Sequence, residues 1–206
     1  VSPNLFTFMN LSPRSFLLAL LFESTFLGAV EKPNLVVFIS DDLGRLDTSI
    51  HGSIDARTPT MERLAAEGMT FDDAYVASPS CCPSRFSLLT GLMPARHGAH
   101  PNHSKVKTGT KLLPPILKKM GYHILSFGKI AHGNKKFEGL DFNEPKRTDM
   151  CIEVEKYFRN NKIEGPMCLL VGDRRPHVEW TKEMNFDPKK VTLPSFFIDT
   201  KETREH

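Results

Sequence analysis

Cysteine, long apolar runs and excess charge of either sign are all scarce in this chain, and each scarcity removes a class of protein. Of 206 residues only four are cysteine, Cys81, Cys82, Cys151 and Cys168, and no two form a C-x-x-C pair. That excludes a disulfide-dense miniature and a thiolate zinc site, while leaving a bridge from Cys151 or Cys168 open. No apolar run approaches the roughly 20 residues that a membrane-spanning helix requires, so no transmembrane segment is expected. With 27 Lys plus Arg against 24 Asp plus Glu, the formal net charge is only +3, which demands no nucleic-acid partner. Internal repeats and low-complexity tracts are absent too. What remains is 40% hydrophobic and 25% charged residues, the make-up of an ordinary globular protein or of a piece of something larger.

The first thirty residues stand apart. Arg14 precedes the apolar run Phe16-Leu17-Leu18-Ala19-Leu20-Leu21-Phe22, and the small residues Gly28 and Ala29 follow. A basic start, a short apolar stretch and small residues read as a secretory signal peptide over residues 1–30. Glu23 within the apolar region and Leu27 near the cleavage position depart from the pattern, and a buried N-terminal helix is the alternative. Export predicts a periplasmic, secreted or lysosome-like location, depending on the host.

From residue 31 onward strands and helices alternate. Asn34-Leu35-Val36-Val37-Phe38-Ile39-Ser40 is a continuous β-branched run, as in a strand buried on both faces of a parallel sheet. Thr58-Pro59 opens a helix that Gly68 closes. Residues 69–76 read as strand-like, 83–89 as a short helix, 113–120 as a helix and 122–127 as a strand. A helix over 152–160 and a buried strand over 167–172 follow, and the tail from residue 180 shows no regular element. This order predicts an α/β sandwich with a mostly parallel central sheet, whose ligands sit beyond the carboxyl ends of the strands. Polar residues follow three of those strands: Asp41-Asp42, Lys129 with His132, and Pro176-His177.

Paired carboxylates such as Asp41-Asp42 suit a hard divalent cation, although such a pair is more often a solvated turn. The segment Ser80-Cys81-Cys82-Pro83-Ser84-Arg85-Phe86-Ser87-Leu88-Leu89-Thr90-Gly91 is more specific. A cysteine at a helix start sits among unpaired N–H groups, which suits anionic ligands. A phosphatase loop with Cys and Arg flanking five residues is excluded, because Ser87 and Leu88 occupy the positions where that Arg would stand.

The segment from Cys81 to Gly91 matches the type I sulfatase signature C-x-P-S-R-x-x-x-x-T-G at every fixed position. Lys32-Pro33-Asn34 through Leu43-Gly44, Thr58-Pro59 through Gly68, and Gly121-Tyr122 through Lys129 also resemble that family, so the resemblance runs from Lys32 to the end of the chain. Phe186-Asp187-Pro188 through Pro194 is similar to heparan N-sulfatase, whereas Gly128-Lys129-Ile130-Ala131-His132 is similar to iduronate-2-sulfatase. The resemblance implies an alkaline-phosphatase-like fold and hydrolysis of a sulfate ester or N-sulfate on a sulfated carbohydrate such as a glycosaminoglycan unit. It also implies conversion of Cys81 to formylglycine by a maturation enzyme, and a calcium ion bound by Asp41, Asp42 and residue 81.

The remaining roles follow from that resemblance. Lys129 and His177 would bind the sulfate, Arg85 would orient the nucleophile, and His132 would transfer a proton. Two departures stand out. One extra residue separates His132 from Lys129 compared with most sulfatases. No Asp-Asn pair, the second half of the family's calcium site, occurs anywhere in the chain. Residues 31–206 are therefore expected to be the N-terminal part of a catalytic domain, inactive alone, with a catalytically dead remnant as the alternative.

Overall fold

A computed structural model describes residues 31–132, 137–145, 149–180 and 186–205 of the chain. The chain divides into residues 1–33 and residues 34–206, and the architecture described here belongs to the second unit. The signal segment expected over residues 1–30 lies outside the described residues.

Four strands form one sheet, with every neighbouring pair parallel: β1 (Leu35–Asp41), β2 (His123–Gly128), β3 (Phe142–Glu144) and β4 (Met167–Pro176), in the order β1-β4-β2-β3. Among the described residues six α-helices accompany them: α1 (Pro59–Glu67), α2 (Cys81–Thr90), α3 (Pro94–His97), α4 (Leu113–Lys119), α5 (Met150–Asn160) and α6 (Lys201–Glu205). Single 3-10 turns occupy Arg45–Asp47, Ser49–His51 and Pro188–Lys190.

Side chains alternate across the two central strands and so build two cores. Ile124 of β2 and Cys168 and Leu170 of β4 pack with Leu89 of α2 and Leu117 of α4 on one face. Leu125 and Phe127 of β2 and Leu169 and Val171 of β4 pack with Met150 of α5 and the flanking Tyr157 on the other. Burying each such Leu, Ile or Phe contributes about 1.5–3 kcal/mol. At β1 the second face is bare: Val36 and Phe38 are 62% and 54% exposed, while Leu35, Val37 and Ile39 pack inward.

Helix boundaries follow local chemistry. Pro59 stands at the start of α1, and the Asp149 carboxylate caps α5 by accepting the Cys151 N–H at 3.0 Å. Helix α2 begins at Cys81, two residues earlier than the expected start at 83, since Pro83 in a first turn forfeits no intrahelical bond. The strand-like reading of residues 69–76 is overturned. A turn at Asp72-Asp73 interrupts the run, and Met69, Phe71, Tyr75 and Val76 stay exposed with no strand partner. The tail does hold regular structure, in Pro188–Lys190 and α6. All four cysteines of the chain, Cys151 and Cys168 included, are free thiols in this structure.

Candidate active site

Strand β1 ends at the carboxyl edge of the sheet, where a bulge between Ser40 and Asp41 shifts the register and sets Asp41 opposite Pro176. Asp42 then takes φ 63°, a left-handed conformation that Asp tolerates better than most residues. The kink separates two adjacent carboxylates: the Asp41 side chain is 3% exposed and that of Asp42 59%.

Strand β4 continues into His177. Its backbone N–H donates to the Asp41 carbonyl at 3.0 Å, and its Nε2 lies 3.7 Å from a carboxylate oxygen of Asp42. Nδ1 is 2.5 Å from the Val178 carbonyl, which makes Nδ1 the protonated nitrogen and leaves Nε2 with its lone pair in the neutral ring.

Strand β2 delivers Lys129 through an unusually close backbone approach. A Cβ added to Gly172 of β4 would lie 2.0 Å from the Lys129 carbonyl oxygen, and Gly128 takes φ 68°. The Lys129 N–H donates to the Gly172 carbonyl at 2.9 Å, and its ammonium reaches the Asp41 carboxylate. Helix α2 supplies the last two groups. Cys81 Sγ is 3.6 Å from Asp41 Oδ1, 4.0 Å from Asp42 Oδ1 and 3.4 Å from Lys129 Nζ. Arg85, one turn further on and 5% exposed, donates to Asp41 Oδ1 at 2.9 Å and also to the Lys129 carbonyl.

Asp41 thus accepts from two cations. Burial opposes its ionisation, but the hydrogen bonds from Lys129 and Arg85, together with their charges, outweigh burial and hold its carboxyl below the usual range. The cleft beside this cluster, about 230 Å³, is lined by Asp41, Asp42, Val76, Ser80, Cys81 and Arg85 among others.

Of the residues singled out from sequence, the structure brings Asp41, Asp42, Cys81, Arg85, Lys129 and His177 into this cluster. His132 stands slightly apart. Its Nε2 is 2.6 Å from Nδ1 of His103, with the two rings edge to face at 4.2 Å, and its Nδ1 is buried without a hydrogen-bond partner. Burial first, then the charges of His103, Lys129 and Arg85, push its pKa below the ordinary histidine range. The ring is therefore neutral near pH 7 and able to accept a proton.

Sequence reasoning missed the loop that holds this side of the site. Asn102 Oδ1 accepts the Cys82 N–H at 3.0 Å, and the Ser104 carbonyl accepts the Cys82 thiol at 3.4 Å. Asn102-His103-Ser104 reads in the sequence only as a glycosylation sequon, and no local signal announces a contact twenty residues away. Buried His97 is a second unforeseen support. Its Nδ1 accepts the Ala99 N–H at 3.1 Å, and its Nε2 lies 3.1 Å from Ser87 Oγ, which ties α3 to α2.

The donor set suits a divalent cation in part. Ligand atoms of Asp41, Cys81 and His177 lie within 4.8 Å of one another, and Asp42 adjoins them. Two carboxylates suit a hard ion such as calcium, whereas a thiol does not, so the set fits calcium only once residue 81 presents oxygen. Even then it supplies a minority of the roughly six to eight oxygens that calcium takes.

A family model described as Sulfatase matches residues 33–178. An ulvan-active sulfatase of Formosa agariphila is 28% identical over 155 residues, covering 71% of this chain and 31% of that protein. N-acetylgalactosamine-6-sulfatase of Rattus norvegicus is 36% identical over 121 residues, covering 52% of this chain and 23% of its own length. A solved structure of a protein in complex with its substrate D-glucosamine-2-N,6-O-disulfate superposes with a TM-score of 0.66 at 24% identity, over 73% of this chain and 36% of that one. That likeness carries the fold: the sheet and its helices are part of the alkaline-phosphatase-like sandwich of the sulfatases. The chain spans less than a third of the length of these two curated relatives. The matched segment runs from the start of β1 to just past His177 and holds every residue of the cluster, and the chain belongs to the sulfatase family.

Proposed function

We propose that this chain carries the nucleophile side of a sulfuric ester hydrolase that acts on sulfated carbohydrate, glycosaminoglycan units and N-sulfates included. The observation that carries this reading is the meeting of Asp41, Asp42, Cys81, Arg85, Lys129 and His177, from four separate segments of the chain, in one polar cluster, of which Asp41, Asp42, Cys81 and Arg85 line the adjoining cleft. The names of the relatives, one an ulvan-active sulfatase and one an N-acetylgalactosamine-6-sulfatase, support a sugar sulfate as the substrate class. Because the chain spans a minor part of those relatives, the activity belongs to a longer protein. In it, residues 31–206 form the N-terminal part of the catalytic domain, and residues 1–30 are an export signal.

Each residue has a role that its position suits. Converted to formylglycine by a maturation enzyme, residue 81 would present the attacking hydroxyl to sulfur. A calcium ion held by Asp41, Asp42 and the oxygen of residue 81 would neutralise charge on the sulfate. Lys129 and His177 flank the same point: Lys129 would meet the sulfate oxygens with a cation, and His177 would meet them with a donor when its ring carries a proton on Nε2 as well as on Nδ1. Arg85 fixes Asp41 and the Lys129 backbone, and so sets the distance between nucleophile and clamp. His132, as a neutral ring paired with His103, would take up or return the proton of the leaving group.

The test uses the longer protein purified from its source. Peptide mass mapping is expected to find formylglycine at position 81, and hydrolysis of a sulfated sugar is expected to fall at least about a thousandfold in Cys81→Ala. Undiminished turnover by that variant would remove residue 81 as nucleophile and the proposal with it.

A further inference from the structure

The 64 residues between Asp73 and Glu138 contain ten of the 27 Lys and Arg and none of the 24 Asp and Glu. A chain that is nearly neutral overall therefore concentrates its positive charge in one stretch, and that stretch includes Cys81. Among the described residues, Lys107, Lys111 and Lys119 line one open groove of about 620 Å³, together with Thr108, Thr110 and a single carboxylate, Glu138. Among the described residues none of the three lysines pairs with a carboxylate, the Lys107 ammonium donating to the Ala95 carbonyl at 3.4 Å, whereas neighbouring Lys118 is taken up by Asp141 at 2.7 Å. Lys107 is held in place: its stem lies against Gly98, where a Cβ would meet its Cγ at 2.6 Å, and its backbone N–H donates to the His97 carbonyl at 2.8 Å.

The groove is tethered to the site. The loop that enters it is the one whose Asn102 accepts the Cys82 N–H beside the nucleophile position. Asn102 and Lys111 are nine positions apart, which spans at most roughly 30 Å of extended chain. Three ammonium groups in one groove, none neutralised by a described carboxylate, suit a polymer that carries several negative charges, not a single sulfate.

We propose that the Lys107–Lys111–Lys119 groove is a second docking surface for the sulfated glycan chain, engaging sulfates on sugar units beyond the one at Cys81. The inference rests on the sulfated-carbohydrate reading and adds a length requirement to it: an oligosaccharide binds through two points, a monosaccharide sulfate through one. Glutamine retains most of the lysine stem and removes the charge, which makes K107Q/K111Q/K119Q the informative variant.

The full chain is titrated calorimetrically with a sulfated glycosaminoglycan octasaccharide, with the corresponding monosaccharide sulfate, with polyglutamate and with duplex DNA. Circular dichroism checks the fold of each variant. The octasaccharide is expected to bind at least tenfold more weakly to the triple glutamine variant at physiological salt. The slope of log K against log salt should fall by about 3, as counterion release predicts for three lost contacts. The triple arginine variant should keep the wild-type affinity. Undiminished octasaccharide binding to the triple glutamine variant would overturn the proposal, and so would polyglutamate or DNA binding as tightly as the octasaccharide. Failure of the underlying reading looks different. In that case the octasaccharide still depends on the groove, while position 81 carries no formylglycine and the longer protein hydrolyses no sugar sulfate.

Discussion

Asp41 is the residue on which the cluster turns. Its two oxygens receive Arg85 and Lys129 with almost no water nearby, and its backbone carbonyl receives His177. Asp41→Asn leaves two cations facing each other without a counter-charge, and breaking a buried pair in this way costs about 3 kcal/mol or more. A urea titration should show a lower midpoint with an unchanged m-value, and a shift worth less than about 1 kcal/mol would mean that water or anions replace the carboxylate. At this scale the sequence was informative where a motif fixed the spacing. Cys81 and Arg85 lie one helical turn apart, and the carboxylates of Asp41-Asp42 follow directly from a strand end. His103 and Asn102 were not legible, because their partners His132 and Cys82 are reached only through tertiary contact.

Strands β2 and β4 and helix α4 position the site through two narrow features. The first is the backbone crossing at Gly172, which has no room for a side chain next to the Lys129 carbonyl. Gly172→Ala must push β2 from β4, and a loss of at least about 2 kcal/mol is expected by thermal or urea unfolding. Loss below about 0.5 kcal/mol would show that the strands separate freely. The second is Asp141, whose carboxylate accepts the Ile124 N–H at 2.8 Å and Lys118 at 2.7 Å, fastening α4 to the start of β2. Burial opposes its ionisation, but those two bonds prevail and its pKa is lowered. A depressed folded-state pKa means stability that is fully present above the unfolded carboxylate value near 4. It is lost as pH falls through the lower folded value. Asp141→Asn should flatten the acid limb of the stability profile, measured by thermal melts from about pH 6 down to about pH 2. Elements with a periodic apolar pattern or a Thr-Pro or Gly boundary were legible in advance. Residues 69–76 misled because their apolar side chains have the composition of a strand but no sheet neighbour. Three-residue β3 is too short to leave a pattern.

At the scale of the whole molecule, the two faces of the sheet are unequally covered. Helices α2 and α4 close one face, while α5 shields β2 and β4 on the other and leaves Val36 and Phe38 of β1 in solvent. Replacing both with threonine should change stability by less than about 1 kcal/mol, since neither packs in a core, and should reduce self-association measured by light scattering. Self-association unaffected by the double change would point to another surface. The α/β class could be read from the alternation of elements, but the strand order could not, because neighbours in a parallel sheet are chosen by packing across long stretches of chain. That order also makes folding a matter of sequence in time. Strand β4 is synthesised last of the four yet lies between β1 and β2, and Leu35 must wait for Cys168 before the ladder can close. Such distant pairings form slowly. Asp41 and Lys129 share no scaffold until β4 inserts, so assembly of the site and completion of the sheet are one late event.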